Sequence, residues 1–166
     1  MGYYADHNHD DRYYSKAYID ENFFTKAQTA GVAESVKPIV AVVGGHSQMD
    51  VGFPAPTVVR QVALHAPSAG TVVVNYSASV YEDQQSELVR CSLTQGTDLN
   101  LDADQIFESS GAPGGKFGSL AGTIGFNVIQ PGPVTVNLVC QHFGSVDGDS
   151  QVSDPWMTMT FTPAGK

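Results

Sequence analysis

Two kinds of hydrophobic pattern divide the chain. In its C-terminal part, apolar residues alternate with polar ones, or run on, over short segments at Thr57–Ala66, Thr71–Val80, Glu87–Leu93, Leu120–Ile129, Val134–Phe143 and Trp156–Thr162. A period of two places successive side chains on opposite faces, which is the signature of β-strands with one buried face. Turn-forming clusters separate the segments: Ala66-Pro67-Ser68-Ala69-Gly70, Gln95-Gly96-Thr97-Asp98, Pro131-Gly132-Pro133 and Asp147-Gly148-Asp149. Ile39–Val43 and Asp98–Leu101 are candidates for two further short strands. Six to eight strands at this spacing, with no helical pattern among them, predict an antiparallel β-sandwich of jelly-roll type. Val134, Val136, Leu138 and Cys140 share one parity and should face the core, with Thr135, Asn137 and Gln141 outward and Val139 the exception. Cys91 shares the inward parity of Val89 and Leu93.

The N-terminal part has a different period. Ile19, Phe23, Ala27 and Ala30 follow the spacing of one helical face, with Asp11 or Ser15 as a cap and Gly31 or Pro38 as a stop. Lys26 interrupts the seam, and an isolated helix of this length is marginal in water. The segment therefore reads as a short helical or extended stalk. Its rings, Tyr13, Tyr14, Tyr18, Phe23 and Phe24, need cover. Identical neighbours could supply it, and so could the chain's own β domain; periodicity does not choose between them. The predicted organisation is a stalk over residues 1–50 and a β-sandwich head over 51–166, hinged at Gly44-Gly45-His46-Ser47.

Composition narrows the function. Only 15% of the 166 residues are charged, against about 25% in a typical domain, while 42% are hydrophobic. Eight basic residues face seventeen acidic ones, for a net charge of -9. No basic patch exists to neutralise phosphates, so a nucleic-acid partner is not expected. No apolar run of about 18 residues offers a membrane span. The first residues lack the cationic region and apolar core of a secretory signal peptide.

One stretch carries a resemblance. Asp6-His7-Asn8-His9-Asp10-Asp11-Arg12-Tyr13-Tyr14-Ser15-Lys16-Ala17-Tyr18-Ile19-Asp20 resembles a short module of bacteriophage tail-fibre and related tail proteins, which reads His-x-His-Asp-x-Arg-Tyr-Tyr-Thr-Lys-x-Glu-x-Asp. Ser15 replaces Thr and Tyr18 replaces Glu. The resemblance implies a parallel homotrimer in the virion tail, assembled in the host cytoplasm. Its partners would be other tail or baseplate proteins and a host-surface glycan or protein. Tyr13, Tyr14, Tyr18, Ile19, Phe23 and Phe24 would then be trimerisation contacts. Gly70-Thr71-Val72-Val73-Val74-Asn75-Tyr76 after a Pro/Gly turn is loosely similar to trimeric C1q/TNF-type jelly rolls.

In an extended segment His7 and His9 project to the same side. Three copies around an axis would gather six imidazoles, an octahedral nitrogen set that suits iron or nickel better than tetrahedral zinc. Asp6 and Asp10 could orient the rings. A solvated histidine pair is the plain alternative, and no other cofactor is expected.

The remaining candidates are weaker. Cys91 and Cys140, both predicted buried, could form a bridge in an oxidising compartment or remain small apolar thiols in a cytoplasm. Tyr81 and Trp156 are candidate sugar contacts through their aromatic faces, although Trp156 at a strand start also reads as core. Asp98, Asn100, Asp102 and Asp104 alternate like calcium ligands. Ala103 and Ser109 at the sixth and twelfth positions exclude an EF-hand. His46, His65 and His142 belong to no catalytic motif, and Glu82, Asp83 and Glu87 read as an acidic loop, so no enzyme is expected. The competing function is an exported bacterial surface, filament or adhesin module, which a Cys91–Cys140 bridge would favour.

Overall fold

Alternation in sequence becomes ladder in space. The computed structural model describes residues 38–52, 54–82, 88–108, 115–144 and 150–164, all belonging to the unit Pro38–Lys166. His7 and His9, and the stalk residues Tyr13, Tyr14, Tyr18, Ile19, Phe23 and Phe24, lie outside the described residues. Among the described residues nine strands follow in order: β1 (Ile39–Val43), β2 (Gln48–Asp50), β3 (Thr57–Ala66), β4 (Gly70–Glu82), β5 (Leu88–Thr94), β6 (Asp104–Glu108), β7 (Lys116–Val128), β8 (Gly132–Phe143) and β9 (Ser150–Pro163).

The pairing is nested. β2 pairs with β9, β3 with β8, β4 with β7 and β5 with β6, every pair antiparallel. Such a set is one long hairpin, and rolling it up brings β4 beside β9 and β5 beside β8. The result is two sheets, ordered β1-β9-β4-β7 with β2 also on β9, and β3-β8-β5-β6. The chain is an antiparallel β-sandwich with jelly-roll connectivity.

The inward positions of both sheets make one core. Val72, Val74, Tyr76, Ala78 and Val80 of β4 and Met157, Met159 and Phe161 of β9 meet Val134, Val136, Leu138 and Cys140 of β8 and Val89, Cys91 and Leu93 of β5. Each fully buried Val, Leu, Met or Phe contributes about 1.5–3 kcal/mol relative to exposure. Cys91 and Cys140 stand directly opposite in the β5–β8 register, with Cα atoms 4.1 Å apart, and are joined as a disulfide with no exposed surface.

Three expectations need correction. Residues 39–50 are not stalk: β1 and β2 both hydrogen-bond to β9, so Gly44–Ser47 links two strands of one sheet, and the sandwich begins near residue 38. Asp98–Leu101 is a loop, and the strand in that region is β6. The cause is local competition for hydrogen bonds: the Asn100 carboxamide accepts from the Asp102 N–H at 3.2 Å, and the Asn100 N–H donates to Ser92 Oγ at 2.8 Å. Finally, β9 starts before Pro155 rather than after it. A bulge makes room: Ser77 opposes Trp156 while Ser79 opposes Ser153, so β9 carries one extra residue there. Asp154 takes φ 51°, which aspartate tolerates, and proline is acceptable where a bulge needs no N–H.

Candidate binding face of the larger sheet

The outward positions of the larger sheet are fixed by the same registers that bury its inner ones. Six rows cross the strands, beginning with Thr162, Thr71 and Asn127 at one end. Val40, Thr160, Val73 and Gly125 form one row, and Val42, Thr158, Asn75 and Thr123 the next. Trp156, Ser77 and Ala121 follow, then Gln48, Ser153, Ser79 and Ser119, then Asp50, Gln151, Tyr81 and Phe117. Among the described residues this face holds no Lys, Arg or Glu, and Asp50 and Asp154 are its only acids. Antiparallel sheets with one solvated face normally clothe it with charge. Here the side chains are Ser, Thr, Asn and Gln around exposed apolar groups, among them Val40 (57% exposed) and Val42 (55%). The opposite sheet differs: there Arg90 pairs with Asp104 at 3.3 Å and lies 5.3 Å from the centre of the Phe143 ring.

Trp156 sits on this face and is not core, with 49% of its surface exposed. Its indole lies over Gly44, where an added Cβ would fall 1.9 Å from the ring's Cε3, so only glycine fits beneath it. Tyr81 lies on the same face but not beside Trp156. The row containing Ser77 and the row containing Tyr81 are four residues apart on β4, roughly 13 Å. The two predicted sugar contacts therefore do not form one site.

Tyr81 instead meets Phe117, its register partner on β7. The ring centroids are 4.8 Å apart with planes inclined at 43°, and Phe117 is 81% exposed. The pair borders a groove of about 540 Å³ whose other walls are Gln48, Gln151, Ser153 and Gly115. The amide of Gln48 donates to Gln151 Oε1, and Gln151 Nε2 donates to Asp50 Oδ1 at 3.2 Å. Sequence reasoning missed Phe117, although a signal existed. Counting back in twos from Leu120 puts residue 117 on the polar parity, where a lone aromatic is out of place.

The other titratable candidates scatter. His46, whose side chain is fully exposed in the β1–β2 link, has its Nδ1 3.0 Å from Asp154 Oδ1, His65 is exposed, and His142 is buried in β8. Glu82 is the last residue of β4 and fully buried, not part of an open acidic loop.

No family model and no curated protein matches the chain. Solved structures do. The chain is similar to the T=1 particles derived from infectious bursal virus, with a TM-score of 0.52 and 11% identity over 77% of this chain and 32% of that one. It also matches the VP2 subviral particle of infectious bursal disease virus (TM-score 0.48, 10% identity, 77% and 33% covered) and the Eiger TNF of S. frugiperda (TM-score 0.45, 14% identity, 78% and 94% covered). The chain spans about a third of the length of the bursal virus chains. The likeness to the T=1 particle lies in the fold.

Proposed function

We propose that the chain is a structural virion protein, a homotrimeric phage tail-fibre or tail-tip component that attaches the particle to its host. The observation that carries this reading is the sparsely charged outer face of the larger sheet, which among the described residues holds no Lys, Arg or Glu and two acids, Asp50 and Asp154. A chain of net charge -9 repels its own copies, and the repulsion is least where two surfaces of little charge meet. The face also carries exposed Val40, Val42 and Val73, which association would cover. The fold shared with a virus-particle protein supports the structural role, and the tail-fibre-like module around His7, His9, Arg12, Tyr13 and Tyr14 supports the tail. In such a trimer the His7 and His9 rings of three copies would offer six nitrogens to iron or nickel. This role needs no catalysis.

A second reading, an exported bacterial surface or adhesin module, is favoured by the Cys91–Cys140 bridge, because disulfides persist in oxidising compartments. The two readings separate by source: one expects the chain in purified phage particles, the other on the bacterial surface.

The test of self-association is mass by light scattering. The full chain should weigh three times 17.6 kDa. Val40→Glu/Val73→Glu, which places two carboxylates on either side of Thr160, should reduce it to a single chain with an unchanged β-sheet circular dichroism spectrum. A wild-type chain that is monomeric overturns the fibre reading, and a double variant that stays trimeric removes the sheet face from it.

A further inference from the structure

We infer that the groove beside Tyr81 and Phe117 is a binding subsite for a neutral saccharide ring, an inference that rests on the attachment reading and names the class of ligand. The platform comes first. Phe117 is an 81% exposed phenyl ring held by a tilted contact to Tyr81 rather than by the core. A ring so placed offers a fixed apolar surface to the C–H face of a sugar. Gly115 lets the backbone pack against the neighbouring Tyr81 ring and helps to fix it, since a Cβ there would stand 2.3 Å from it.

The polar wall comes second. Gln48 and Gln151 are linked through their amides, and Gln151 is anchored on Asp50, so the amide groups are held in line along one side of the groove with Ser153 next to them. Amides and a hydroxyl supply donors and acceptors together, as the neighbouring hydroxyl groups of a sugar require. The volume of about 540 Å³ lies within the range of small-molecule sites.

Charge selects the class. Among the described residues no Lys or Arg lines the groove, the amide of its Gln151 donates to the Asp50 carboxylate, and the chain as a whole is acidic. Sialylated, sulfated or phosphorylated sugars would be repelled, whereas a neutral ring meets no such barrier. A second copy of the chain is the rival occupant. The Val40 and Val73 row, however, lies eight residues along β4 from Tyr81, roughly 27 Å away, so association at that end leaves the groove open.

The test applies the full-length protein to a microarray carrying neutral and anionic oligosaccharides, with light scattering on the same samples. Wild type should bind neutral glycans alone. Phe117→Ala should bind about tenfold more weakly, and Phe117→Trp should retain binding. All three should keep the wild-type mass. Absence of neutral-glycan binding, binding confined to anionic glycans, or Phe117→Ala binding like wild type overturns the inference. So does a fall in mass caused by Phe117→Ala, which would make the groove an interface between copies. A trimer that binds no glycan defeats this inference and leaves the self-association reading standing, while a monomer that binds neutral glycans does the reverse.

Discussion

Removing the Cys91–Cys140 bridge is expected to destabilise the sandwich by about 4 kcal/mol. The two cysteines lie 49 residues apart in sequence, and a cross-link of that span restricts the unfolded chain by roughly this amount on the chain-entropy model. With an unfolding entropy near 2.1 cal/mol/K per residue over the sandwich, the loss corresponds to a fall in Tm of about 15 °C. Two samples separate the cross-link from the packing of its sulfur atoms. Cys91→Ala/Cys140→Ala removes both bond and sulfurs, while wild type unfolded and refolded in reductant removes only the bond. Calorimetry or thermal circular dichroism on each should show the large shift, with the alanine variant slightly lower. Because both cysteines are fully buried, folded wild type should also resist added dithiothreitol until it begins to unfold. If reduced and oxidised proteins melt within about 2 °C of each other, the entropic account is wrong.

Two further perturbations test local features. Gly44→Ala should push the Trp156 indole off the end of β1, destabilising the fold by about 1–3 kcal/mol and red-shifting the emission of the one tryptophan; unchanged emission would refute the close packing. Burial, with a smaller contribution from the Asp104 carboxylate, raises the Tyr76 hydroxyl well above tyrosine's ordinary value. The fold therefore prefers the neutral phenol. Its contribution is complete below the unfolded value of about 10 and is lost as pH rises above it. Tyr76→Phe should consequently unfold less steeply with alkali than wild type in denaturant titrations above pH 10, and an identical profile would remove Tyr76 as the cause.

Local alternation is enough to place most strands and their inward faces. Val134, Val136, Leu138 and Cys140 could be assigned to the core from parity alone, because partition between water and protein acts on each side chain wherever its strand lies. Cys91 and Cys140 could each be called buried for the same reason. Their union is another matter, since it needs the register between β5 and β8, two strands that the sequence separates widely. Short or interrupted elements also escape local reading. β2 has three residues, too few for a period; β6 lies just beyond a loop whose leucines alternate like a strand; and β9 passes through Pro155 only because a bulge, tied to Ser47 by the Asp154 N–H at 2.8 Å, accommodates it. The candidate face belongs wholly to tertiary structure. Ser, Thr and Val outward on one strand mean little singly, and the scarcity of charge becomes visible only when β1, β9, β4 and β7 are laid side by side. The same holds for the groove: chain pattern could nominate Tyr81 and Trp156, but rolling the hairpin decides that Tyr81 meets Phe117 instead, because sheet neighbours are set by long-range pairing and not by distance along the chain.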